Sequence, residues 1–166
     1  MALDSLGGAG NLAYKISHIK GCICLCHVFL DHDRPGKDAH SKAKARGLIE
    51  DCDVNYASCA GLSESELEDL YEVSFYKDLI LNKYRVSLES PKFKSKKKWS
   101  DRLRECFIGQ GKNWDDDVKI EVKLLIAKAV ESDPGRALNQ YKKSVFDALT
   151  SALEARLKDK NAEPIA

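Results

Sequence analysis

Two aspartates separated by one residue close an apolar run in "CHVFLDHDRPGKDAH", and they are the first residues whose type and spacing could do chemistry. On an extended chain Asp31 and Asp33 point to the same side, about 7 Å apart. Carboxylates held that close repel unless a cation joins them. Mg²⁺ (or Mn²⁺) suits such a pair, because Mg²⁺ takes one or two carboxylates and keeps its waters for a phosphate-bearing substrate. The Pro35-Gly36 turn and the helix expected after it aim free N–H groups at the same crevice, which favours an anion there. The plainer alternative is that both acids cap that helix and are otherwise solvated.

A second acidic stretch, "SESELEDLYE", contains Glu64, Glu66, Glu68 and Asp69. Glu66 and Glu68 are candidate metal ligands. Ser63 with Glu66, and Ser65 with Glu68, also have the spacing of a capping box at a helix start. Acids in a first turn need no further role. The basic stretch "SPKFKSKKKW" sets Lys92, Lys94, Lys96, Lys97 and Lys98 beside Phe93 and Trp99. Such a cluster can neutralise DNA phosphates while the aromatics anchor it. Lys142 and Lys143 in "YKKS" form a smaller basic pair. For both, a solvated charged face is the simpler reading.

The elements that must position these groups follow from local pattern. "LDSLGGAGN" places Gly7, Gly8 and Gly10 in a loop before a short helix near residues 11–19. "CICLCHVFLD", residues 22–31, is short, continuous and apolar, as a fully buried strand is. "GKDAHSKAKARGLIE" reads as a helix closed by Gly47, and "CDVNYASC" as a second strand. Strand, helix and strand within about 35 residues make one βαβ unit, whose strands are parallel. After Ser63 the pattern turns helical, in "SESELEDLYEV", "SFYKDLILNKY", "DDDVKIEVKLLIAKAVESD" and "KSVFDALTSALEARLKD", and the basic stretch leads into a further helix. The fold class expected is α/β, a partial parallel sheet with helices followed by a helical region.

Composition narrows the remainder. Lys and Arg total 27 against 26 Asp and Glu, so net charge gives no preference for nucleic acid, and only local clusters can. No apolar stretch reaches the roughly 20 residues of a membrane span, and the N-terminus has no signal-peptide pattern, so a cytoplasmic protein is expected. Cys22, Cys24 and Cys26 alternate along one strand face with no Cys-x-x-Cys pair, which fits buried free thiols better than zinc. His27 would point to the opposite face.

"FLDHDRPGKDAHSKAKARGLIEDCDVNYASCAGLSESELEDLYE" resembles the TOPRIM domain of OLD-family (overcoming lysogenization defect) nucleases. The shared features are an Asp-x-Asp after an apolar strand, a turn, a helix and a later "E-x-E-D-L" stretch. "LDSLGGAGNL" is similar to the family's glycine-rich segment, and "SPKFKSKKKWSDRLRECFIGQGKNW" and "ALNQYKKSVFDAL" to its C-terminal helices. The resemblance implies a metal-dependent DNA endonuclease in which cations organise water and phosphate. It implies that Asp31 and Asp33 hold metal, that Glu66 or Glu68 is the later acidic ligand, and that Lys142 or Lys143 assists at the phosphate. DNA contact through Lys94, Lys96, Lys97 and Lys98 is expected from the basic cluster itself, and the resemblance adds a bacterial role in antiviral defence. On this reading residues 1–73 are a partial TOPRIM domain, 74–160 a helical region and 161–166 a frayed tail.

The match departs from the family in two places. TOPRIM nucleases have a glutamate at the end of an earlier strand, whereas Glu50 is the first glutamate here and Asp4 the only acid before Asp31. The family's ATPase is absent too, with no G-x-x-x-x-G-K-[ST] loop. The chain therefore looks like the latter part of such a protein, inactive alone and served by a partner chain or ATPase region within an oligomer. Two other readings stand beside this one. A haloacid-dehalogenase-type phosphatase would use Asp31 as nucleophile and Asp33 as general acid, with later acids from "WDDD" behind an apolar strand. A non-catalytic module would use the amphipathic helices at 115–131 and 143–157 to bind DNA or a partner.

Overall fold

A computed structural model describes residues 3–21 and 25–162. The chain is mixed α/β, with a two-stranded parallel sheet and, among the described residues, predominantly helical structure elsewhere. By backbone proximity it divides into Met1–Ala57 with Ser144–Ala166, and Ser58–Lys143.

The first unit is built on β1 (Val28–Asp31) and β2 (Val54–Ala57), paired in register from Val28 opposite Val54 to Asp31 opposite Ala57. Alternation along β1 buries Val28 and Leu30 against Leu12 and Ile16 of α1 (Leu12–Gly21) and Ala43 of α2 (Arg34–Ala45). Phe29 meets Phe146 of α7 (Ser144–Ala162), with ring centroids 5.9 Å apart. Further along α7, Arg156 pairs with Asp53 and donates to the Cys26 carbonyl oxygen at 3.2 Å. These contacts group α7 with the sheet, whereas the sequence reads 1–73 and 74–160 as separate regions. The expected frayed tail begins within α7 as far as Ala162; residues 163–166 lie outside the described residues.

Both strands are shorter than the apolar runs that announce them. A strand persists only where its neighbour supplies a ladder, and β2 starts late. Asp51–Asp53 form a 3-10 turn, and the Asp53 carboxylate accepts from the Glu50 amide at 2.8 Å. Cys22 and Cys24 lie outside the described residues. Cys26 is a half-buried free thiol, held protonated above its usual range by burial. His27 Nε2 donates to Asn55 Oδ1 at 2.6 Å.

Helix α2 starts and stops as its sequence dictates. Asp33 is the N-cap and Pro35 stands in the first turn, where a missing N–H costs nothing. At the far end Gly47 takes φ +65°, donating to Lys44 O at 2.8 Å while Leu48 donates to Ala43 O at 3.0 Å. That is the paired closure of a Schellman motif.

The second unit packs α3 (Val73–Tyr84), α4 (Trp99–Gly109) and α5 (Asp116–Ser132) around Tyr76, Ile80, Trp99, Leu103, Phe107, Val122 and Ile126. The four-residue α6 (Pro134–Ala137) is capped by Asp133. The helix expected over "SESELEDLYEV" is not formed. Only a 3-10 turn at Leu67–Leu70 appears, between extended Glu66 and Tyr71. Residues 70–72 instead form backbone bonds with 137–139, including Glu72 N to Ala137 O at 2.8 Å and Asn139 N to Leu70 O at 3.0 Å.

Candidate functional site

Asp31 is the last residue of β1, and Asp33 continues the extended path with φ −129° and ψ 176°. The Asp33 carboxylate is buried, and its Oδ1 accepts from the Gly36 amide at 3.0 Å. Gly36 is required for a steric reason. A Cβ there would sit 2.3 Å from the Asp31 carbonyl oxygen and 3.3 Å from Asp33 Oδ1. The absence of a side chain lets the first turn of α2 press against the strand end, so the Asp-x-Asp and the helix N-terminus form one compact turn. The cap accounts for the Asp33 carboxylate.

The later acids face inward within the second unit. Glu66 is 2 % exposed; its Oε2 accepts from the Ser100 amide at 2.9 Å and its Oε1 from the Ser100 hydroxyl at 2.8 Å. Lys98 Nζ stands 3.7 Å from Oε1. Asp69 accepts from the Trp99 amide at 3.1 Å and pairs with Arg102. Glu66 and Asp69 also cap their own turn, since the Glu66 amide donates to Asp69 Oδ2 at 2.8 Å. The first two amides of α4, which no helix satisfies internally, are therefore served by carboxylates some 30 residues earlier in sequence. Glu68 has Lys123 Nζ at 3.1 Å. Burial pushes the Glu68 carboxyl above its usual range despite that lysine, and does the same to Asp69 despite Arg102.

The two lysines of "YKKS" differ. Lys142 donates to the Asp69 carbonyl oxygen at 2.6 Å, while Lys143 is exposed. In the basic stretch Lys94 and Lys96 are exposed, Lys97 pairs with Glu105, and Lys98 turns toward Glu66. Phe93 and Trp99 are buried in the core of the unit. They anchor the loop and offer no stacking face for a base. Asp115, Asp116 and Asp117 stand at the start of α5, with Asp115 Oδ1 accepting from Val118 N at 2.9 Å, and helix and turn precede them. The acid pair that a haloacid dehalogenase sets behind a strand is thus a helix cap here.

Asp31 and Asp33 belong to the first unit, and Glu66, Glu68, Lys142, Lys143 and the basic stretch to the second. Among the described residues no three His, Cys, Asp or Glu side chains gather as a metal-ligand cluster. Two arrangements were not foreseeable from spacing. Asp69 with Arg102 is one. The other is Asp51, His40 and Tyr56: His40 Nδ1 lies 2.7 Å from the Tyr56 hydroxyl and its Nε2 lies 3.4 Å from Asp51 Oδ1, with Lys44 also on Asp51. These residues come from α2, a turn and β2, and no local pattern links them. No family model matches the chain, and neither a curated protein nor a solved structure does.

Proposed function

We propose that this chain is the part of a TOPRIM-type, OLD-family DNA endonuclease that supplies an aspartate pair for Mg²⁺ or Mn²⁺ and lysines for DNA. The observation that carries the reading is Asp31 and Asp33 at the carboxyl end of a parallel strand, with a glycine that admits the next helix against them. Ligands in open α/β sheets bind at that end of the strands. Two hard oxygen donors on one extended stretch fit a hard divalent cation. When bound, that cation supplies Lewis-acid polarisation of a phosphate and an acidified water.

The chain's own residues do the rest. Asp31 and Asp33 hold the cation, Asp33 while capping α2. Lys94 and Lys96 neutralise DNA phosphates from the surface, and Lys142, held on the acidic segment, is the better placed of the two candidate lysines to assist at a phosphate. Glu68 is the better candidate for the later acid, because Glu66 has both oxygens engaged by Ser100. With no glutamate ahead of β1, the chain alone cuts DNA little or not at all. A role in antiviral defence rests on the family resemblance. Among the described residues no helix is long and apolar enough to cross a membrane.

A second reading, a non-catalytic DNA- or partner-binding module, is favoured by the commitment of Glu66 and Asp69 to the amides of α4. Calorimetric Mn²⁺ titration separates the two. Heat that vanishes in Asp31→Ala/Asp33→Ala supports the metal reading. Absence of heat in the wild-type chain removes it and leaves the module. Salt-sensitive DNA binding indifferent to metal would then be the module's signature.

A further inference from the structure

Asp31 closes β1 and Asp33 continues it extended, so His32 between them projects to the opposite face from the two carboxylates. That is the face covered by α2, where Leu30 and Tyr56 pack with Ala39 and Ala43. Tyr56 lies opposite Leu30 in the ladder. The His32 ring stands edge-on to it, with centroids 5.7 Å apart and planes at 76°. An edge meeting a face is the arrangement that aromatic quadrupoles favour.

Tyr56 is held in its turn. Its hydroxyl lies 2.7 Å from Nδ1 of His40 on α2. The direction of that bond follows from the other ring nitrogen. His40 Nε2 is buried, with Asp51 Oδ1 3.4 Å away. A nitrogen lone pair turned toward a carboxylate is repelled, so the neutral ring carries its proton on Nε2, and Nδ1 accepts from the Tyr56 hydroxyl. The bond from Lys44 keeps the Asp51 carboxyl below its usual range. Burial, with the Asp51 charge, keeps the Tyr56 phenol above its own, so it stays a donor. Lys44, Asp51, His40 and Tyr56 thus form one directed chain, ending on the ring that His32 abuts.

We infer that His32 and Tyr56 are positioning residues for the Asp31/Asp33 cation site, with Tyr56 anchored by His40 and acting through His32. The inference rests on the reading of these aspartates as cation ligands. A cation gains from both carboxylates only where the backbone between them is fixed, since rotation at residue 32 swings one ligand away from the other. A ring anchored on the far face opposes that rotation. Partners that orient metal ligands without touching the metal act on affinity in this way.

The test is calorimetric Mn²⁺ titration of the full chain and its variants, each at a temperature where its melt in chelator shows it folded. His32→Ala weakens Mn²⁺ binding about tenfold, and His32→Phe, which keeps an aromatic edge on Tyr56, restores it to within about twofold. Tyr56→Phe and His40→Ala each weaken it about threefold in the wild-type background and leave it unchanged in His32→Ala. Their cost to the melt persists in both backgrounds, because the bond between Tyr56 and His40 does not involve His32. A purely structural role would lower the melt and leave affinity alone. Wild-type binding that His32→Ala does not weaken overturns the inference and spares the metal reading. Tyr56→Phe still weakening Mn²⁺ binding in His32→Ala also overturns it. A wild-type chain that gives no Mn²⁺ heat removes the metal reading and this inference together.

Discussion

Replacing Glu66 by alanine separates a structural carboxylate from a metal ligand, because the two roles predict opposite signs. The side chain is buried and accepts from both the amide and the hydroxyl of Ser100, which is itself 6 % exposed. Truncation leaves two buried donors without their acceptor. An unsatisfied buried donor costs about 1–3 kcal/mol, and loss of a helix cap about 1 kcal/mol. Lys98 loses its contact with Glu66 as well, but its stem can turn the ammonium outward. Water entering the vacated space restores part of the bonding, so we expect a net destabilisation of about 2–4 kcal/mol. For a chain of this length that corresponds to a fall of roughly 5–12 °C in melting temperature. Glu66→Gln keeps one acceptor and should lose about half as much.

A carboxylate kept for metal gives the reverse. The charge of Glu66 raises the pKa of both Glu68 and Asp69, so its removal relieves repulsion in the metal-free chain. Thermal melts in the presence of chelator, repeated with Mn²⁺, distinguish the roles. A large fall that is the same with and without metal is the expected outcome. A Glu66→Ala chain that melts at or above the wild type in chelator would refute the capping argument.

Three further outcomes follow from the geometry. Burial raises the folded pKa of Glu68, so as pH drops through that raised value the folded chain takes up a proton that the unfolded chain still lacks. Stability from this group therefore rises between neutral pH and the ordinary carboxylate range, and urea midpoints should show Glu68→Gln losing that rise relative to wild type. Gly36→Ala forces a methyl to 2.3 Å from the Asp31 carbonyl oxygen, so the backbone must shift, at about 1–3 kcal/mol, and the Mn²⁺ heat should fall with it. An unchanged melt would show that α2 has room to withdraw. Tyr56→Phe and His40→Ala should each cost about 0.5–1.5 kcal/mol and couple in a double-mutant cycle. Additive losses would mean that the 2.7 Å contact contributes nothing.

What the sequence made legible is what neighbouring residues decide. Asp33, Pro35 and Gly47 act within one or two turns of α2, and the observed helix starts and stops on them. Asp115 caps α5 for the same reason, and the apolar runs around Val28 and Val54 do become parallel strands. The stretch from Ser63 to Val73 is different. Its local pattern favours a helix, but its carboxylates serve amides at Trp99 and Ser100, and its backbone bonds residues 137–139. No local periodicity carries that information. The return of α7 to β1 through Phe146 and Arg156 is likewise a contact between distant segments. So is the burial of Phe93 and Trp99, which from a lysine-rich context look like part of a binding surface.

The two acidic clusters consequently bear unequal weight in any functional argument. At residues 66–69 every carboxylate has a structural partner in the second unit: Ser100 for Glu66, Lys123 for Glu68, and Trp99 and Arg102 for Asp69. Buried acids so satisfied are explained without a ligand. At residues 31–33 a cap explains Asp33, yet any residue but proline at position 36 would supply the amide that the cap needs. What demands glycine is the close approach of α2 to the Asp31 carbonyl, and that approach brings a helix N-terminus onto the end of the strand. The two clusters can be tested apart. Asp31→Ala should remove the Mn²⁺ heat, whereas Glu66→Ala should lower the melt whether or not metal is present. An Asp31→Ala chain that loses stability and no metal binding would show that this aspartate, too, is held for the fold.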